Sequence, residues 1–327
     1  MKKIFTVLIL LSCFNTAIAQ QSPQYSLYML NKYGINPAYG GLDNSLSFTG
    51  VVRKQWVNLE GSPFTQQLNA HMPMYLLRGG IGINLENDIL GATRNTSAML
   101  SYNYWIPVNK TSLLSVGISA GVLQRSLDGT KLRAPGGQYD ETTGLNNHND
   151  NRIPVGLETA TAPTVSGGVY FQSRRLDLGF SAINLLENDL TFNHSEGQTD
   201  ILQKRHFNLF VATNFEIGSM IEVMPSALLK SDISQNQAEL STIVRYNGNV
   251  FGGASLRGYD KVTLDAVVFI AGMKINDKTT LAYSYDMTLS DLNTVSDGSH
   301  EITINYNLNK PIGGGVPPPI IYNPRFL

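Results

Sequence analysis

The sequence is poor in the residues most chemistry needs. It holds a single cysteine, Cys13, in 327 residues, so no disulfide framework or cysteine-rich metal centre can be built from it. The five histidines, His71, His148, His194, His206 and His300, lack the close spacing of a zinc site. Charge is scarce as well, 15% of residues against roughly 25% in soluble domains. Basic residues number 24 and acidic ones 25, so the basic excess expected of a nucleic-acid partner is missing. No apolar run approaches the roughly 20 residues a helix needs to cross a bilayer. No nucleophile elbow, Walker loop or dinucleotide fingerprint occurs. What the chain does have is 30 glycines, 15 tyrosines and 13 phenylalanines. Low charge with abundant glycine and aromatics fits a transmembrane β-barrel better than a soluble enzyme.

The first residues read as an export signal. Lys2 and Lys3 form a basic start, Ile4 to Leu11 a short apolar core, and Ala17-Ile18-Ala19 a small-x-small cleavage site, predicting a signal peptide over 1–19 with Gln20 as first mature residue. Leu11-Ser12-Cys13 loosely resembles a lipoprotein box. Using it would shorten the apolar core further and leave the Ala17/Ala19 site idle. Cleavage after Ala19 removes the only cysteine and two of the 24 basic residues, leaving 22 against 25 acidic ones.

Period-two alternation then recurs. Ile302, Ile304, Tyr306 and Leu308 share one face of a strand, and Glu301, Thr303, Asn305 and Asn307 the other. Leu114, Val116, Ile118, Ala120 and Val122 alternate with small residues, as do Leu176, Leu178, Phe180 and Ala182. About 14 strands are expected, at 45–57, 63–74, 79–88, 95–106, 112–124, 164–173, 176–184, 205–215, 219–230, 238–246, 250–258, 261–274, 278–288 and 299–308. A soluble β-sandwich could alternate in the same way. The loops decide between the two. Connections after even-numbered strands are short, for example Asn247-Gly248-Asn249, while 125–163, 185–204 and 289–298 all follow odd-numbered strands. That sorting belongs to an up-and-down outer-membrane barrel with short periplasmic turns and long extracellular loops, so the predicted fold class is an all-β, antiparallel transmembrane barrel.

The barrel is expected over 45–308, preceded by a plug or periplasmic arm at 20–44 and followed by a Gly/Pro-rich tail at 309–327. Tyr102, Tyr104, Trp105, Tyr283 and Tyr285 are candidates for aromatic girdles. Asp177, Glu239, Arg245, Asp265, Asp286 and Glu301 fall at inward positions, where ion pairs must satisfy them. The acidic and amide-rich stretch 140–152 lacks the glycine register of a calcium loop. Ser299-His300-Glu301 tempts a rim-hydrolase reading, but neighbouring strand residues point to opposite faces. His300 should share the outer face with Ile302. No catalytic, cofactor-binding or metal-ligating residue is predicted, and no cofactor.

These residues carry a resemblance. Gln24-Tyr25-Ser26-Leu27-Tyr28-Met29, Asn36-Pro37-Ala38-Tyr39, Arg53-Lys54-Gln55-Trp56-Val57 and Gly61-Ser62-Pro63-Phe64-Thr65-Gln66 stand near one end. Ser284-Tyr285-Asp286, Ser290-Asp291-Leu292 and Gly298-Ser299-His300-Glu301-Ile302 stand near the other. Together they resemble the PorP/SprF family of Bacteroidetes outer-membrane proteins, associated with type IX secretion and gliding motility. The resemblance implies a non-enzymatic barrel, exported to the outer membrane, that helps secrete or anchor an adhesin-like surface protein through that protein's C-terminal sorting domain. The implied partners are this cargo, periplasmic secretion components and outer-membrane lipid, with no nucleic acid. Asn36, Pro37, Tyr39, Arg53, Trp56, Tyr285, Asp286, Gly298, His300 and Glu301 are its structural or partner-binding candidates. Loops 125–163 and 185–204 would hold the cargo, while 20–44 and the tail would meet periplasmic partners. An outer-membrane transporter or porin for apolar solutes is the alternative, and a rim lipase or protease a further one.

Overall fold

The computed structural model describes residues 22–140, 142, 145–194, 197–258 and 264–310. The expected signal peptide, the tail from 311 onward and the expected strand start at 261–263 lie outside the described residues.

Fourteen strands form the wall. In chain order they are β1 (Ser47–Lys54), β2 (Phe64–Met74), β3 (Gly79–Leu90), β4 (Thr93–Asn109), β5 (Ser112–Asp128), β6 (Leu157–Ser173) and β7 (Leu176–Ile183). They continue as β8 (His206–Thr213, prolonged by Phe215–Ile217), β9 (Ile221–Ser231), β10 (Asn236–Tyr246), β11 (Val250–Arg257), β12 (Ala266–Asn276), β13 (Thr279–Thr288) and β14 (Ser299–Asn307). Each pairs antiparallel with its sequence neighbours, and β1 pairs with β14 from Ser47↔Asn307 to Lys54↔His300, which closes the barrel. Closure removes the open edge that lipid could not hydrogen-bond. Among the described residues no helix is long and apolar enough to cross a membrane.

The connections sort by strand parity. After even-numbered strands the chain reverses tightly, and at Asn247 and Gly248 both φ angles are positive (50° and 66°), as a two-residue hairpin turn requires. The long connections all lie at the other end. Three strands are longer than their alternation suggested: β4, β5 and β6 each run 17 residues, against the 9–11 that span a bilayer. They rise past the membrane, shrinking the expected 125–163 loop to 129–156. The 185–204 connection is itself a hairpin, Asp189–His194 against Gly197–Leu202. Its buried Leu190 and Phe192 pack on Leu123, Leu127, Ala160 and Ala162 of the projecting strands.

Burial alternates as the pleat demands. On β14, Ile302 and Ile304 are about half exposed toward lipid (51% and 47%), whereas Glu301 and Thr303 are buried inside. Trp105 departs from the girdle expectation. It lies inside, 3% exposed, against Tyr75 at 6.0 Å. Tyr104, one residue earlier, takes the outer position, because adjacent strand residues cannot share a face.

Residues 22–44 fill the lumen. The first described residues of this segment lie near the long-loop end, where the carbonyl of Pro23 accepts a hydrogen bond from Lys230 at the end of β9 (3.0 Å). It descends, turns through the short helix α1 (Lys32–Ile35) and a 3₁₀ turn at Pro37–Tyr39, and leaves at the short-turn end to begin β1. The local sequence explains the turns. Asn31 caps α1 by accepting from Gly34 N (3.2 Å). Asn36 caps the next turn by accepting from Ala38 N (2.9 Å), with Pro37 in the first position, where its missing N–H is no loss. Glycines on the wall make room: a Cβ on Gly117 would sit 2.6 Å from the Ala38 Cα.

Candidate functional site

Among the described residues, the inner segment is held by hydrogen bonds from every strand except β12. Partners include Arg53 on β1, Gln67 on β2, Glu86 on β3, Ser101 on β4, Ser115 on β5 and the Val169 carbonyl on β6. Ser181 on β7, Asn208 on β8, Lys230 on β9, Ser241 on β10, Arg257 on β11, Asp286 on β13 and Glu301 on β14 complete the ring. Leu27, Tyr28, Tyr33, Ile35, Ala38 and Tyr39 form the middle of a buried apolar cluster with Trp105, Tyr170, Phe210 and Phe251 from the wall.

Three motif residues, Arg53, Asp286 and Glu301, converge on Ser26 in the upper lumen. Arg53 is fully buried. Its guanidinium donates to Asp286 Oδ2 (2.8 Å), Glu301 Oε2 (3.2 Å) and Ser26 Oγ (2.9 Å). Arg257 donates to Glu239 Oε2 (2.8 Å), Asp286 Oδ2 (2.8 Å) and Ser26 Oγ (2.6 Å). The carboxylate of Glu301 accepts from the backbone N–H groups of Ser26 (2.7 Å) and Leu27 (3.0 Å). Ser26 Oγ donates to Asp286 (2.8 Å). Burying these charges is tolerable only because each carboxylate meets a guanidinium. The result is a clamp joining β10, β11, β13, β14 and β1 across the closing seam, with the inner segment as its hub. Its one hydroxyl is engaged by two guanidinium donors and one carboxylate, an arrangement that holds a chain in place.

The second motif group lies lower. Asn36 Nδ2 donates to the carbonyls of Val169 (3.1 Å) and Phe180 (3.2 Å). Tyr39 donates to Asp43 Oδ1 (2.7 Å) and packs edge-on against Tyr170 and His71. Lys32 pairs with Asp177 at 2.8 Å.

The third group sits at the long-loop rim. Trp56 adopts a left-handed backbone (φ 45°) and its N–H donates to Ser299 Oγ (3.1 Å). Gly298 (φ 85°) has no room for a side chain, since a Cβ would stand 2.5 Å from the Asp286 carbonyl. His300 faces outward, its Nδ1 2.6 Å from Tyr283 Oη and its ring 5.2 Å from that of Tyr285. His300 and Glu301 therefore occupy opposite faces of the wall. The motif candidates thus fall into three places, and only Arg53, Asp286 and Glu301 bond to one another through their side chains. Arg257 and Ser26 were missed as site residues. Parity along β11 places Arg257 inward with Phe251 and Ser255, which was the available signal. Asp265, expected on a strand, stands just before β12 and accepts from Gln237 (3.1 Å).

One cavity lies above the segment and one beside it. A vestibule of about 350 Å³ at the long-loop mouth is walled by Ser22, Gln24, His206, Lys230, the Ser231–Gln237 turn and Asp265. A chamber of about 140 Å³ shares Ser22, His206 and Lys230 and reaches down to Asn84, Ser119, Ser166 and Asn208. Among the described residues there is no cluster of three metal-ligating side chains.

A closed, lipid-faced barrel with a polar, filled lumen is the architecture of an outer-membrane β-barrel protein. The chain belongs to the PorP/SprF family of type IX secretion system membrane proteins, whose model matches residues 17–306. No curated protein matches it. Among solved structures it is similar to the Ralstonia pickettii toluene transporter TbuX, at 10% identity over 83% of this chain and 91% of that one, with a TM-score of 0.48. It is also similar to the CymD monoaromatic hydrocarbon channel (11%, 88% and 100%, 0.46) and to a Pseudomonas aeruginosa FadL homologue (11%, 83% and 92%, 0.42). Such identities say nothing about what this barrel handles.

Proposed function

We propose that this barrel is a non-enzymatic accessory of type IX secretion that helps export or anchor a surface protein by binding that protein's C-terminal sorting domain. The supporting observation is the inner segment. A lumen crossed by a chain hydrogen-bonded to thirteen of fourteen strands is suited to a rigid platform, whereas a solute route needs an open path. The chamber beside that segment mixes amides and hydroxyls with Ile35, Met99, Leu123 and Ile183. Cargo contact falls to the elements raised above the membrane: the 129–156 loop, the ends of β4 to β6 and the Asp189–Leu202 hairpin. Periplasmic partners meet the short-turn face.

Deleting 130–155 tests this reading. Barrel insertion should survive, because that loop contributes no barrel strand, while cargo display on whole cells should be lost. Unchanged display, with the deletion variant folded, would refute the loop assignment. Co-purification in mild detergent, followed by mass spectrometry, should return a large surface protein or periplasmic secretion components.

A further inference from the structure

The inner segment has a direction. Its first described residues lie at the long-loop end: Ser22 and Gln24 wall the vestibule with the Ser231–Gln237 turn, Pro23 bonds Lys230, and Gln24 Oε1 accepts from Gln55 just beyond β1 (3.4 Å). Ser26 is tied to Arg53, Arg257, Asp286 and Glu301, all close to the same end of their strands. Its other end lies at the opposite mouth, where Ser47 at the start of β1 donates to Asp43 (2.8 Å) and Gly41 meets the end of β2 at Met72 and Pro73. Long loops of outer-membrane barrels face outward and short turns face the periplasm. The segment therefore runs through its own barrel from the outer mouth to the inner one, the reverse of a periplasmic arm entering from below.

We propose that the amino-terminal end of the inner segment is a cell-surface feature, with Ser22–Gln24 forming one wall of a vestibule open to the outside. Its wall carries hydroxyls and amides from Ser22, Gln24, Ser234, Gln235 and Asn236, the His206 imidazole, the Lys230 ammonium, and the carboxylates Asp232 and Asp265. The inference rests on the path of the chain and stands apart from the cargo assignment.

Cysteine mapping tests it, because Cys13 is the only native cysteine and its replacement by serine gives a silent background. In that background, Ser22→Cys, Glu60→Cys on the long-loop side and Lys110→Cys in a short turn are exposed to a membrane-impermeant maleimide. Intact cells should label Ser22→Cys and Glu60→Cys, and Lys110→Cys should label only after the outer membrane is permeabilised. Gln24→Cys is the second variant should Ser22→Cys fold poorly, with folding checked by heat-modifiable migration. Labelling of Ser22→Cys or Gln24→Cys only alongside Lys110→Cys would place that end in the periplasm and overturn the proposal. A folded variant unlabelled under both conditions would overturn it too, since a vestibule wall must be reachable. Cargo display, measured on the same cells, is a separate readout that neither outcome prejudges.

Discussion

Replacing Arg53 by methionine keeps the bulk of the side chain and removes its charge from the clamp. Asp286 would still have Arg257 at 2.8 Å and the Ser26 hydroxyl. Glu301 would retain only the backbone N–H groups of Ser26 and Leu27 and would lose its one guanidinium. Stripping one partner from a buried ion pair costs about 3–5 kcal/mol, and the partial compensation here favours the lower end, about 3 kcal/mol. That is roughly two decades in the folded-to-unfolded ratio. Equilibrium unfolding in urea of barrels refolded into lipid vesicles, followed by tryptophan fluorescence and by heat-modifiable migration, measures it. The cycle with Glu301→Met is the sharper test. Removing both leaves no unpaired charge between them, although the Ser26 and Leu27 N–H groups lose their acceptor, so the double variant should lose less than the sum of the singles, with a coupling of about 1–3 kcal/mol. Additive losses, or a single-variant loss below about 1 kcal/mol, the surface-pair range, would refute the clamp as a cooperative unit.

Other outcomes follow from the same geometry. Gly117→Val puts a side chain where Ala38 passes, with the first added atom 2.6 Å from Cα. Overpacking of this kind costs about 1–3 kcal/mol, so protease should cut within 22–44 in the variant while sparing the parent. Gly298→Ala forces a Cβ into a left-handed turn against the Asp286 carbonyl. Its urea midpoint should fall, whereas Gly218→Ala, also at positive φ but with open space around its Cβ, should lose less.

The wall was legible because lipid imposes a rule that acts at every residue. Each strand must put apolar groups outward and polar ones inward, so Ile302 and Glu301 betray the pleat from sequence alone, and the sorting of loop lengths reveals which end is which. Strand ends were less legible where strands outrun the membrane. In β5, Leu123 and Leu127 are buried not against lipid but under Leu190 and Phe192, a partner some 60 positions away that no local pattern announces. Trp105 shows the opposite failure. Its aromatic character suggested a girdle, yet its parity with Asn103 already placed it inside.

The interior resisted reading because residues 22–44 follow no period. Their conformation is set one partner at a time by strands distant in sequence: Ser26 by Asp286 and Glu301, Asn36 by Val169 and Phe180, Ala38 by Asn103 and Ser115. Inward charges on a barrel wall are costly unless matched, and here the match is divided between wall and segment. Glu301 draws two of its three hydrogen-bonding partners from the backbone of Ser26 and Leu27. The charges at the closing seam therefore depend on the segment for part of their hydrogen bonding. This explains why motifs separated by more than two hundred residues in sequence, around Ser26, Arg53, Asp286 and Glu301, form one physical unit. It also ties the filling of the lumen to the pairing of the first strand with the last.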